Sequence, residues 1–108
     1  MQTLVQVICT KGSSMRDKIC NHSQLKKSDL KVSEKKQSER NPGWAKLHST
    51  LPDRDGAINI EWDAGISILT CRVVTKRAGE PSLIIGDFVS FLLGNFKKRI
   101  ETINIIPR

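Results

Sequence analysis

The sequence predicts a small α+β domain, and three observations support this class. Apolar and polar residues alternate with the period of a β-strand in Ala57–Trp62 and in Ile66–Thr75. From Pro81 to Phe96 the apolar spacing is instead that of a helix. The length of 108 residues suits one domain. We therefore expect a small antiparallel or mixed sheet in the order β-β-β-α-β, with one helix packed on one face, preceded by a flexible basic N-terminal segment.

Composition changes near Pro42-Gly43 and divides the chain into two predicted parts. Residues 1–43 contain 12 apolar residues and no aromatic residue, whereas residues 44–108 contain 29 apolar residues and all five aromatics. The first part holds nine Lys or Arg against four Asp or Glu, so it carries most of the +7 net charge. A segment this polar buries too little surface to offset its ordering entropy. We interpret 1–43 as a flexible basic tail and 44–108 as the α+β domain.

Two stretches of the predicted tail favour local structure. Thr3–Thr10 has the composition of a short strand, and Ser28–Gln37 is an alternative short helix whose apolar face is too thin to dock firmly. Thr3–Thr10 does not resemble a secretory signal, because no basic residue precedes it and no small-residue cleavage site follows it. Met15 is an alternative translation start, which would place residues 1–14 outside the native protein.

Three predicted strands open the second part. Trp44–Thr50 alternates modestly and ends before Leu51–Gly56, where Pro, Asp and Gly favour a turn. Ala57–Trp62 alternates cleanly, and the following Asp63-Ala64-Gly65 favours a short hairpin loop. Ile66–Thr75 is rich in β-branched residues and carries apolar side chains on both faces, which predicts a central strand.

The predicted helix, Pro81–Phe96, is followed by the last strand, Ile100–Ile106. Proline suits the first helical position, although a competing interpretation begins the helix only at Asp87, as its N-cap. Three cations directly after the helix suit its C-terminal dipole. Because the last strand follows the helix, we expect it to run parallel to the first and third strands and to pair beside either one.

This helix is more apolar than packing on one sheet face requires. Its other side carries Gly86, Ser90 and Gly94, and small residues at this spacing allow another backbone to approach closely. One interpretation is chance spacing with fraying near Gly94. The other is a homodimer, or a protein partner, that contacts the helix.

Motifs for metal binding and catalysis do not emerge. Cys20-Asn21-His22 is the only close Cys/His pair, and its spacing does not match a zinc site. Asp53–Gly56 begins like a calcium loop, but Ala64 stands where the closing glutamate belongs. No nucleophile or phosphate-loop motif occurs. We predict a non-enzymatic protein without a metal or cofactor.

Basic residues supply the leading functional hypothesis. Lys76 and Arg77 follow a strand, and Lys97, Lys98 and Arg99 follow the helix. If both ends lie at one edge of the fold, with Trp44 and Lys46 nearby, they form one patch that holds phosphates and stacks a base. We therefore predict a small nucleic-acid-binding module, aided by the basic tail. The alternative is a protein-interaction subunit or a homodimeric domain that uses the apolar helix.

Membrane insertion and secretion are not expected. The longest mostly apolar stretch, Leu83–Phe96, has 14 residues and includes Asp87, whereas a membrane span needs about 20. Three cysteines are too few, and odd in number, for a disulfide scaffold. These features predict a protein of the reducing cytoplasm.

Overall fold

The computed structural model describes residues 2–38, 41–76 and 80–107, which form one six-stranded sheet and two α-helices. In chain order the elements are β1 (Gln2–Cys9), α1 (Met15–Cys20), a 3₁₀ turn (Lys26–Ser28), β2 (Leu30–Ser38), β3 (Asn41–Ser49), β4 (Ala57–Asp63), β5 (Ile68–Val74), α2 (Pro81–Asn95) and β6 (Ile100–Pro107). The spatial order of the strands is β2-β3-β4-β5-β1-β6, and every neighbouring pair is antiparallel.

The core lies between one face of this sheet and the two helices. Val5 and Val7 of β1 are fully buried against it, as are Phe88 of α2 and Ile19 of α1. Full burial of one such side chain stabilises the fold by about 1.5–3 kcal/mol. The other face of the sheet carries the alternate residues of each strand, which are half-buried or exposed. We call this second surface the open face.

The predicted order β-β-β-α-β is wrong because β1 lies inside the sheet. Gln2 pairs with Val74 of β5, and on the other side of β1 Thr3 pairs with Pro107 of β6. The last strand does run parallel to β5, but β1 separates the two and makes each contact antiparallel. The prediction of a short strand over Thr3–Thr10 is confirmed; its place between two later strands could not be seen from local pattern.

The prediction of a flexible N-terminal segment is also wrong for the residues that the structure describes. β2 and α1 both come from it, and the alternative helix over Ser28–Gln37 is instead part of β2. Among the residues of β2 whose burial the structure describes, Leu30 and Val32 reach the core. The remaining polar residues suit an edge strand, where charged side chains discourage further strand pairing. Averaging the composition over 43 residues concealed this pattern.

A single helix on the sheet was predicted, whereas α1 packs beside α2 on the same face. Ser14 caps α1, since its Oγ accepts a hydrogen bond from the Asp17 N–H at 3.3 Å. α2 begins at Pro81, so the competing start at Asp87 is wrong. The Asp87 carboxylate instead accepts a hydrogen bond from Arg54 Nε at 3.1 Å.

Candidate nucleic-acid interface

The basic residues predicted to form one patch lie at two ends of the sheet. Lys76 follows β5, whose Val74 pairs with Gln2, whereas Arg99 precedes β6, whose Ile100 pairs with Cys9. The length of β1 separates these ends by roughly 23 Å, at about 3.3 Å per residue. The structure therefore does not bring the two groups together. Arg77 lies outside the described residues.

Lys97, Lys98 and Arg99 line a surface groove with residues from the N-terminal segment. The groove has a volume of about 460 Å³ and lies where the C-terminal ends of α1 and α2 meet. Its lining consists of Lys18, His22, Gly94, Asn95, Phe96, Lys97, Lys98 and Arg99. Four of these side chains are cationic and none is a carboxylate. We call this surface the basic groove.

Arg99 is held in place by the loop before α1. Its Nε donates to Thr10 Oγ1 at 3.1 Å, and its Nη2 donates to the carbonyl oxygens of Thr10 (3.0 Å) and Ser13 (3.2 Å). The guanidinium also lies 6.0 Å from the ring centroid of Trp62. A Cβ atom at Gly12 would come within 3.1 Å of Arg99 Cζ, so the loop fits closely over the guanidinium. This charge is fixed in position before any ligand arrives.

His22 joins the two helices and presents a hydrogen-bond donor. Its ring packs edge-on against Phe91 and Phe96, with centroid distances of 5.7 and 5.2 Å. Its Nδ1 accepts a hydrogen bond from the Gln24 N–H at 3.0 Å. In the neutral ring the proton therefore resides on Nε2, which can donate to an anion.

Lys18, Lys97 and Lys98 are exposed, and each charge lies at the end of a flexible side chain. The ion pairs found among residues 2–38, 41–76 and 80–107 involve Arg16 and Arg54, not these lysines. The carbonyl groups at the C-terminal end of α2 carry partial negative charge and would repel an anion. Two of them already accept hydrogen bonds: that of Phe91 from Asn95 Nδ2, and that of Leu92 from the Phe96 N–H. The groove can therefore attract phosphate oxygens with its cations.

Lys46 lies elsewhere, on the open face. It pairs with Asn59 of β4, which pairs in turn with Arg72 of β5, so the three residues form one row. Glu34 pairs with Lys46 from the other side, and Trp44 pairs with Glu61. The open face therefore carries both cationic and anionic side chains and lacks the uniform charge of the basic groove.

His48 lies on the same face as Lys46 and contacts β2. Its Nδ1 lies 2.6 Å from Ser33 Oγ, and that hydroxyl donates to the Lys46 carbonyl oxygen at 3.2 Å. Nδ1 is therefore the donor to the hydroxyl. Burial lowers the pKa of His48 below its usual value, and the neighbouring Lys46 and Lys31 lower it further.

Sequence reasoning missed Lys18 and His22 of the basic groove. The pattern Ser14-x-x-Asp17 is a helix-start signal that could have located α1. Its docking beside α2 depends on contacts between residues far apart in the chain. Arg72 and Asn59 of the open face were also missed, although strand alternation already placed each on a predicted strand face.

The three small residues of α2 do not share one surface feature. Gly86 lines an apolar groove beside β6, Gly94 lines the basic groove, and Ser90 is exposed between them. A Cβ atom at Gly86 or Gly94 would meet nothing within 4 Å. Among the described residues, no other segment packs closely against either glycine. The surface at both positions is therefore accessible to an external partner.

Within the described ranges, none of the helices is long and apolar enough to cross a membrane. Those residues also contain no group of three or more His, Cys, Asp or Glu side chains positioned to hold a metal ion. Cys20 and His22, the close pair in the sequence, are both half-buried, and His22 Nδ1 is engaged by the Gln24 N–H.

No protein-family model, curated protein or solved structure matches this chain. Its function is therefore inferred from the chemistry of its own surfaces.

Proposed function

We propose that the protein is a non-enzymatic nucleic-acid-binding module that holds backbone phosphates in the basic groove. One observation carries this proposal: four cationic side chains from two distant segments of the chain line one groove that contains no carboxylate. Phosphate neutralisation by Lys and Arg releases counterions and supplies most of the affinity in binding of this kind. Contacts to phosphate position a protein on nucleic acid without reading the base sequence.

The residues of the groove have complementary parts in this proposal. Arg99 supplies a fixed guanidinium, because Thr10 and Ser13 hold it in place. Lys97 and Lys98 supply movable charges that follow the backbone. The 3₁₀ turn Lys26–Ser28 contacts α2 and carries two more exposed lysines.

Base stacking is not part of this mechanism. Trp62 is buried in the core, and Phe96 is only 8 % exposed. Trp44, the aromatic residue of the original patch hypothesis, lies on the open face. We therefore expect little sequence preference and similar affinity for DNA and RNA of equal charge density.

The test compares two double variants that remove the same charge. Lys97→Gln with Lys98→Gln alters the basic groove, and Lys46→Gln with Lys76→Gln alters the open face. Fluorescence anisotropy of labelled duplex and single strands, of DNA and RNA, is measured at about 50 and about 200 mM salt. Circular dichroism confirms that both variants fold.

We expect the groove variant alone to lose a large share of the affinity. Each phosphate contact contributes about 0.9 to the slope of log K against log salt for duplex DNA, so two contacts change the slope by about 1.8. The loss is then about tenfold larger at the lower salt concentration than at the higher. Equal losses in the two variants would show that net charge, not the groove, drives binding. Unaltered binding in both, or no binding by the wild type, would overturn the proposal.

We further infer that the protein works in a reducing compartment such as the cytoplasm. All three cysteines are free thiols, and Cys9 and Cys71 are buried on the same sheet without forming a disulfide. The same thiol count after purification with and without reductant would agree with this inference. A disulfide in the native protein would contradict it.

A further inference from the structure

An apolar groove separates α2 from β6, at the sheet edge opposite β2. Its volume is about 490 Å³, and its lining includes Pro81, Ile85, Gly86, Val89, Ile105 and Pro107. None of the lining side chains is ionisable. α2 covers the inner face of β6 only in part, since Ile105 remains 50 % exposed.

The backbone of β6 is also open along this edge. The Cys9 N–H donates to Ser67 beside β5, whereas the Thr10 N–H donates to Arg99 beside β6. Successive residues of a strand direct their hydrogen-bonding groups to opposite sides. The backbone groups of the even-numbered residues of β1 therefore bond to β6. Because Gln6 pairs with Asn104, their partners are the even-numbered residues of β6. Ile103 and Ile105 direct their N–H and C=O groups outward, where no described strand pairs with them.

We propose that this edge forms a symmetric homodimer, in which β6 pairs antiparallel with β6 of a second copy. A two-fold axis through Asn104 places Ile103 of each copy opposite Ile105 of the other. Both residues then exchange N–H···O=C bonds with their partners, so four outward groups on each copy are satisfied. The six-stranded sheets join into one continuous sheet, with both α2 helices on the same face.

Charge restricts a second copy to a surface without cations, and this edge provides one. Each chain carries a net charge of +7, so two copies repel wherever their basic surfaces meet. The apolar groove has no ionisable lining residue, and it therefore presents no such repulsion. An acidic partner, by contrast, would find no cation in this groove to pair with.

The apolar surface required for a stable dimer is concentrated on the same two elements. Among the described residues, the exposed large hydrophobic side chains include Leu83 and Leu93 of α2 and Ile105 and Ile106 of β6, each between 39 and 50 % exposed. A stable interface buries about 800 Å² per partner, which a strand edge alone does not supply. In the proposed dimer the remainder has to come from α2, where Gly86 leaves room for the second copy.

The experiment is light scattering on size-separated wild type, over a dilution series, beside matched variants. Ile105→Lys places a charge in the proposed interface, and Ile66→Lys places one at a 62 % exposed residue of the β4–β5 turn. Gly86→Leu fills the apolar groove, and Gly94→Leu makes the same change on the same helix outside that groove. Circular dichroism checks that each variant folds.

The proposal expects wild type, Ile66→Lys and Gly94→Leu to have the mass of two 12.1 kDa chains. Ile105→Lys and Gly86→Leu should have the mass of one chain. A monomeric wild type throughout the series would overturn the proposal. So would a dimer that persists in both Ile105→Lys and Gly86→Leu, since it must use another surface. A mass above two chains would also overturn it, because pairing about a two-fold axis closes at two.

Discussion

Replacement of Arg99 by lysine separates the structural role of this residue from its proposed binding role. Lysine keeps the positive charge but lacks the planar fork of donors. The guanidinium makes three hydrogen bonds to Thr10 and Ser13, at 3.0 to 3.2 Å. A single ammonium group can reach one of these oxygens, so two bonds are lost. The contact with the Trp62 ring is also altered.

The magnitude follows from those two bonds. An intramolecular hydrogen bond contributes about 0.5–1.5 kcal/mol net, so the loss of two lowers the free energy of unfolding by about 2 kcal/mol. Lysine retains the charge of half-buried Arg99, so the lost hydrogen bonds account for the whole expected change. The affinity for nucleic acid should change by less than about twofold, since the charge at the groove is preserved.

Urea unfolding followed by tryptophan fluorescence measures the first effect, because Trp62 lies beside Arg99. A decrease of about 2 kcal/mol shifts the midpoint by roughly 1 M at an m-value of about 2 kcal/mol per molar. Lys98→Gln is the converse control: we expect stability within about 0.5 kcal/mol of wild type, with weakened binding. The reasoning is refuted if Arg99→Lys unfolds at the wild-type midpoint, or if it binds as weakly as Lys98→Gln.

Three further measurements test other features of the structure. Gly94→Ala should raise the free energy of unfolding by about 0.5 kcal/mol, because alanine favours the helix and its Cβ meets nothing within 4 Å. Gly56→Ala should lower it by about 2 kcal/mol, because Gly56 has φ +122° and a Cβ there would lie 2.5 Å from the Val74 carbonyl oxygen. Urea titrations measure both changes. Burial and nearby lysines lower the pKa of His48 in the folded state, so the unfolded chain takes up the proton first as the pH falls. The wild type should therefore lose stability below pH 6.5. His48→Gln should flatten this part of a profile of melting temperature against pH. Iodoacetamide should label half-buried Cys20 before Cys71, whose pKa is raised by burial, and equal labelling in peptide mass spectra would contradict this order.

The second part of the chain was predictable because its signals are local. Ile58, Ile60 and Trp62 alternate along β4, and all three are buried as that pattern requires. α2 follows from Pro81 and the helical spacing after it. Such patterns depend on residues two to four positions apart, which a sequence displays directly.

The position of β1 and the assembly of the basic groove depend on distant contacts. Nothing within Gln2–Cys9 specifies that β5 and β6 will flank it. Lys97 and Lys98 were recognised from their charge, but Lys18 joins them because α1 docks beside α2, where His22 packs against Phe91 and Phe96. The polar strand β2 was missed because Leu30 and Val32 are its only apolar residues, which is too few to reveal a strand pattern.

The pairing of β1 with β6 sets the order in which the protein folds during synthesis. Thr3 and Pro107 are neighbours in the sheet although about one hundred residues of chain separate them. β6 must emerge from the ribosome as far as Pro107 before it can pair with β1. The sheet therefore cannot be completed while the earlier strands emerge. Until then, one edge of β1 stays exposed with unpaired backbone groups. Such an unpaired edge can pair with another nascent chain and so lead to aggregation.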